Sequence, residues 1–264
     1  MGRVVPINQE EVDGLVGLMT KALAIARERP AGSFLWFRGV SQGDHQLLPK
    51  IMRDGKTVEQ VFERERRLLT RFRQRSMAYW PAGHAQNDWE HLFAMQHFGM
   101  PTRLLDWTEN LFVAAHFAVT PAVQDNSILS AVWCLDPIVW NRAMPVLSEF
   151  GNSIHVLTTS DDEVESYRPE TTKRRNRSPV AIFGTHNSQR IVAQRGTFMI
   201  WGNDARSLEA FANETTATLW KLSIRGNRDE LRRDLALLGF GETMVFPELT
   251  ALATELSATE GWRA

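Results

Sequence analysis

Apolar positions recur at helical spacing from Gln9 to Arg29, where Val12, Leu15, Val16, Leu18, Met19, Leu23 and Ile25 return near every third or fourth residue. Asn8 is placed to cap that segment, and Pro30-Ala31-Gly32 stops it. Phe34 to Arg38 follows as a short aromatic-rich strand. After the Asp54-Gly55 turn, Thr57 and Gln60 carry a capping-box pattern, in which hydroxyl and amide satisfy open backbone N–H groups reciprocally. The helix they open sets Val58, Val61, Phe62, Leu68, Leu69 and Phe72 on one side, with Glu65 among them. Arg64, Arg66, Arg67, Arg71 and Arg73 crowd much of the remainder. Two more helices are predicted at Asp88 to His97 and Glu109 to Val119, joined through Gly99-Met100-Pro101-Thr102-Arg103, with Thr108 as the cap of the second.

Ser127 to Leu135 is apolar and β-branched enough for a buried strand. The stretch from Gly151 to Ser178 differs, with Asp161, Asp162, Glu163 and Glu165 ahead of the run Lys173-Arg174-Arg175-Asn176-Arg177. It reads as a mobile polar loop and a candidate lid. Ile182-Phe183 and Arg190 to Trp201 read as core strands, with Gly196 as a bend. Thr216 to Ile224 alternates in part, and Asn227 caps a helix that runs to Leu238 and stops at Gly239. Thr243 to Phe246 is predicted as a short strand, with Pro247 in the first turn of a last helix ending near Leu256. Helices dominate the first half and strands the second. The expected fold is therefore α+β and single-domain, a helical N-terminal half packed on a mostly antiparallel sheet from the second half. A helix over residues 1–33 precedes the α+β body over 34–264, whose polar loop lies near 158–178.

Composition changes this picture little. The chain has 264 residues, 43% hydrophobic and 23% charged, with a net charge of −1, which excludes wholesale disorder and a fibrous repeat. Near-neutrality argues against a generic polyanion binder and leaves room for a local basic patch. The single cysteine, Cys134, makes no internal disulfide, fits a reducing compartment and sits in an apolar strand where it packs. No apolar run approaches the roughly 20 residues a bilayer span needs, and no secretory signal follows Arg3, so a cytoplasmic protein without a membrane partner is expected. There is no Gly-x-Ser-x-Gly elbow, phosphate loop or Gly-x-Gly-x-x-Gly turn. His84, His91 and His97 lack the i, i+4 spacing of paired helical metal ligands, so no metal site is expected.

Polar residues inside apolar stretches carry the chemical information. Arg38 closes an aromatic strand, where a guanidinium must be paired or hold an anion, and Gly39 lets backbone approach closely. Gln96, His97, Arg103 and Asp106 interrupt a second apolar run. Each has a structural reading beside the functional one. Arg38 pairs with Asp106 or Glu90, Arg103 pairs with Asp106 across the Pro101 turn, and Gln96 and His97 bond buried backbone groups. Arg190 and Gln194 share one strand face by their even spacing, toward cleft or solvent alike. Trp36, Trp89, Trp107 and Trp133 read as core aromatics.

Trp36-Phe37-Arg38-Gly39, the run Gln96-His97-Phe98-Gly99-Met100-Pro101-Thr102-Arg103-Leu104-Leu105-Asp106-Trp107-Thr108, and Phe117-Ala118-Val119 resemble the FRG domain, named for its Phe-Arg-Gly motif. Asn187 to Phe198 and Phe246-Pro247-Glu248-Leu249 resemble that family's C-terminal pattern, whereas Asn110-Leu111 stands where the family often has Asn-Pro. The resemblance implies a bacterial or phage protein, with a defence or toxin-type effector role. It also invites comparison with ADP-ribosyltransferases, in which an Arg-Gly meets dinucleotide phosphates, a later strand supplies a hydroxyl and a Glu stabilises the ribosyl cation. By that logic Arg38, Thr197 and Glu242 are the catalytic candidates, although Met244 stands where a second acid is expected. Gly39, Gln96, His97, Arg103, Asp106, Arg190 and Gln194 are the ligand-binding candidates. NAD is the expected substrate rather than a resident cofactor, with a protein or nucleic-acid acceptor. Two other readings stand beside it: a non-enzymatic ligand- or protein-binding sensor, and a nucleic-acid-binding protein using Lys173 to Arg177 and the Arg-rich helix.

Overall fold

A computed structural model describes residues 7–30, 32–80, 87–120, 128–147, 151, 155–185 and 188–262. The positions Arg3, Ala31, His84, Ser127 and Asn187 used above lie outside them. The first described element is a strand, β1 (Ile7–Asp13), which turns at Gly14 into helix α1 (Gly14–Arg27). The single helix expected from Gln9 is thus divided, and Asn8 is a strand residue rather than a cap. Local periodicity yields here to tertiary pairing, because β1 gains a full parallel ladder along a later strand, from Ile7 opposite Leu219 to Asp13 opposite Arg225.

Strand β2 (Trp36–Val40) and helix α2 (Val58–Ser76) follow, and both arms of the Thr57–Gln60 capping box are present. Helix α3 (Asp88–His97) leads into strand β3 (Leu104–Thr108), which the sequence reading treated as connection. Asn110, rather than Thr108, caps α4 (Leu111–Val119), its Oδ1 accepting from the N–H groups of Phe112 and Val113. Strand β4 (Ser130–Leu135) is buried throughout and feeds helix α5 (Pro137–Ala143). Strand β5 (Val180–Ile182) precedes α6 (Gln189–Gln194) and β6 (Gly196–Ile200), so the continuous strand expected from Arg190 to Trp201 is a helix followed by a strand. The break falls at Arg195, whose φ of 45° ends the helix in the left-handed region. Helix α7 (Leu208–Glu214), strand β7 (Leu219–Arg225) and helix α8 (Arg228–Leu237) come next, with Asn227 capping α8. Residues 242–245 form a short helix, α9 (Glu242–Val245), not a strand, and α10 (Leu249–Thr259) follows Pro247.

The fold is α+β, and the described residues form one sheet of seven strands in the order β1-β7-β4-β2-β3-β6-β5. Between these strands every pairing except β1–β7 is antiparallel. The sheet is not confined to the second half of the chain, since β1, β2 and β3 contribute an edge and two central positions. Strand β2 follows from its aromatic run, whereas β1 carries helical spacing and β3, buried at four of its five positions, shows no alternation for a periodicity search to find. One sheet face packs Phe37, Val132, Cys134 and Leu222 against α1, α4 and α8; the other carries Trp36, Trp107, Trp133 and the larger core. The four tryptophans read as core aromatics are buried, and burial pushes the Cys134 thiol pKa up.

The polar stretch before β5 is docked rather than free. Val164 and Tyr167 are buried, Asn176 donates to Ser166, and the Asn176 carbonyl lies where a side chain on Gly202 would be. Arg175 donates to the carbonyls of Arg168 and Pro169 and lies 3.9 Å over the Phe62 ring. Burial, with the charge of Arg103, lowers its pKa to about 10. No helix of the described residues is long and apolar enough to cross a membrane, and these residues hold no group of three His, Cys, Asp or Glu suited to a metal.

Candidate functional site

The site lies where two central strands part. β2 pairs with β4 along its whole length, from Trp36 opposite Leu135 to Val40 opposite Ala131. With β3 it shares only Phe37 opposite Thr108. Beyond that point the ladder gives way to a side chain: Arg38 Nη1 donates to the Asp106 carbonyl at 2.6 Å. Gly39 is where α4 meets the sheet. A Cβ there would stand 1.9 Å from the Ala114 carbonyl oxygen and 2.7 Å from the Ala118 nitrogen, so only glycine admits this helix. The close approach expected of Gly39 is thus made by the protein's own backbone.

The parted strands open a cleft of about 340 Å³, lined by Arg38, Arg53, Gln96, His97, Asp106, Arg190, Gln194 and Thr197 together with His45, Trp107 and Phe117. A second hollow of about 590 Å³ shares Arg38, Arg53, Gln96, His97, Asp106 and Arg190 with it and adds Lys50 and Glu248. Asp106 is held in place: its Oδ2 accepts from Gln96 Nε2 at 2.8 Å, and Gln96 Oε1 in turn accepts from Thr102. Arg190 and Gln194 share a face as expected, but through one turn of α6 rather than alternation on a strand. Arg190 lies 4.6 Å over the Phe246 ring, and Gln194 Nε2 donates to the Val245 carbonyl at 3.0 Å. Thr197 is 1% exposed, and its hydroxyl meets no hydrogen-bond partner among the described residues.

Among the described residues, three guanidinium groups thus line the main cleft beside one carboxylate, Asp106. The field shows in the titrating groups. Burial lowers the Arg38 pKa, Arg53 adds in the same direction and Asp106 opposes. For His97, burial and then Arg190 lower the pKa, against Glu248 and Asp106.

Two candidates fall elsewhere. Glu242 heads α9 and does not line the cleft; its Oε2 lies 3.6 Å from His116 Nε2, and burial lowers the His116 pKa while Glu242 opposes. The motif reading needed Glu242 to lead a strand, and α9 takes that strand away. Arg103 is 0% exposed and fully occupied: Nε donates to Glu65 Oε2 at 2.8 Å, Nη1 to the Trp201 carbonyl and Nη2 to the Tyr167 carbonyl. It is a core anchor, paired with Glu65 and not with Asp106. The segment 173–177 lines neither hollow, and Arg177 pairs with Asp204 at 3.1 Å.

Arg53, His45, Lys50, Trp107 and Glu248 were missed. Arg53, His45 and Lys50 come from the irregular segment between β2 and α2, where no periodicity marks which face a residue takes. The visible signal was the basic pair Lys50 and Arg53 just downstream of Arg38.

No curated protein and no solved structure matches the chain. The family model of the FRG domain matches residues 33–127, which carry Arg38, Gly39, Arg53, Gln96, His97 and Asp106 and so most of the cleft's polar wall. Residues 33–127 of the chain therefore carry an FRG domain, with the motif's arginine at the cleft and its glycine under α4.

Proposed function

We propose that the cleft binds a phosphate-bearing nucleotide, NAD foremost, and breaks its N-glycosidic bond by glycohydrolysis or ADP-ribosyl transfer, in the manner of an ADP-ribosyltransferase-like enzyme. The observation that carries this reading is the convergence of Arg38, Arg53 and Arg190 on a concave site whose lining holds, among the described residues, a single carboxylate, Asp106. Guanidinium groups match phosphate oxygens in geometry and charge. A carboxylate fixed by Gln96 is suited to the positive charge that grows on the ribose as the C1′–N bond breaks and its electron pair leaves with neutral nicotinamide. Water then adds at C1′ and releases a proton, or an acceptor nucleophile takes its place. Asp106 thereby takes the part the motif comparison gave to Glu242. Thr197 and His97 complete the polar wall.

Nicotinamide release from NAD by the purified chain tests this. Wild type is expected to turn over, Asp106→Asn to lose about a hundredfold or more in kcat, and Arg38→Ala to raise KM. An effector role in anti-phage defence or toxicity follows: induced expression is expected to deplete cellular NAD and arrest growth, and Asp106→Asn to relieve both. ADP-ribose binding without nicotinamide release would instead make the chain a sensor module.

A further inference from the structure

One row of side chains crosses the sheet on the face away from α4. Trp133 of β4 stands opposite Arg38 of β2, and Trp107 of β3 opposite Thr197 of β6. Carrying the Phe37–Thr108 register one residue further sets Arg38 across from Trp107. The row therefore reads Trp133, Arg38, Trp107, Thr197, neighbours on one face of successive strands. Each holds a buried polar atom with no partner among the described residues: the two indole Nε1, the Arg38 Nε and the Thr197 Oγ1. Native interiors rarely leave such atoms unbonded, and here four fall in sequence. Indole and guanidinium nitrogens can only donate. Arg38, Trp107 and Thr197 line the cleft, with Trp107 3% and Thr197 1% exposed, whereas Trp133 does not line it.

We infer that Arg38 Nε, Trp107 Nε1 and Thr197 Oγ1 form an oxyanion cradle that receives a phosphate group of the ligand, which makes Trp107 and Thr197 determinants of its affinity. A guest for this cradle must bring several acceptor oxygens and no donor of its own, and must carry negative charge to suit the guanidinium. Phosphate meets all three conditions. With Nη1 of Arg38 held by the Asp106 carbonyl, the Nε donor is left for the guest. The inference rests on the reading of the cleft as a phosphate-bearing nucleotide site, but not on any bond being cleaved there.

The test titrates wild type, Thr197→Val and Trp107→Phe with inorganic pyrophosphate and with ADP-ribose by calorimetry at fixed ionic strength, beside thermal unfolding without ligand. Thr197→Val keeps shape and removes one donor, whereas Trp107→Phe removes the indole donor together with ring volume from the core. Each is expected to weaken both ligands about tenfold; Thr197→Val is expected to hold Tm equal to wild type or higher, since a donor without a partner costs the fold stability, and Trp107→Phe to lower Tm by no more than Trp133→Phe does. Trp133→Phe removes the same N–H outside the cleft and is expected to leave affinity unchanged. Unchanged affinity in Thr197→Val and Trp107→Phe would overturn the cradle, as would a wild type that binds neither ligand. Intact pyrophosphate binding without nicotinamide release overturns the catalytic reading alone.

Discussion

Arg38 and Arg103 lie near opposite ends of the same central strands and meet different fates. Arg103 is sealed, its charge met by Glu65 and its Nη1 and Nη2 by two backbone carbonyls. Arg38 has one anchoring bond, to a carbonyl, and an Nε without a partner among the described residues, at a cleft where two strands separate. The difference teaches what to ask of a polar residue in an apolar run. Burial alone does not tell a scaffold from a site; the number of satisfied donors does. A guanidinium whose donors are met inside is architecture, and one with donors left over is available to a guest.

The contrast can be broken at either end. The largest effect is expected at the sealed one. Glu65→Ala strands Arg103 without its counter-charge and should cost about 3–5 kcal/mol in denaturant unfolding. Gly39→Ala comes next: the added methyl meets α4 backbone at 1.9 Å, and overpacking of this kind costs about 1–3 kcal/mol. That loss should appear as an earlier unfolding midpoint. Arg38→Met should do the reverse of Glu65→Ala. Stability is expected to hold within about 1 kcal/mol, while ADP-ribose affinity falls about tenfold to a hundredfold by calorimetry.

The smallest effect concerns pH. In the fold, His97 has its pKa lowered below the ordinary value of 6.5, by burial first and Arg190 second. Between 6.5 and that lower value the unfolded chain binds more protons than the folded one. Its contribution to stability is therefore complete above pH 6.5 and is lost as pH falls through the window. ADP-ribose reverses the sign, because an anion in the cleft favours the protonated ring. Its affinity should rise a few-fold from pH 7 to 5, and His97→Gln should flatten both slopes.

Much of the scaffold was legible where local chemistry decides it. The Thr57–Gln60 box, the Asn227 cap, and the helices at 88–97 and 228–237 follow from side chains that bond their own neighbours. Long-range pairing was not legible. Gln9 to Asp13 has helical spacing and becomes a strand because β7 offers it a ladder, and Leu104 to Thr108 has no alternation because both its faces are covered over most of its length. The site divided in the same way. Arg38, Gln96, His97 and Asp106 stood out as polar residues in apolar context, and so did Arg103, because sequence does not show whether a carboxylate from another helix arrives. Glu65, which does arrive, was visible as an acid on an apolar helix face.

The parallel seam between β1 and β7 joins Ile7 to Leu219, almost the length of the chain apart. During synthesis the opening strand therefore waits, unpaired, until the ribosome has released β7. Folding of the central strands can precede that event, but closure of this edge is a late step whose rate is set by topology rather than by local preference. A bulky fusion ahead of Ile7 would burden that step first, slowing the yield of native protein before it altered the affinity of the cleft.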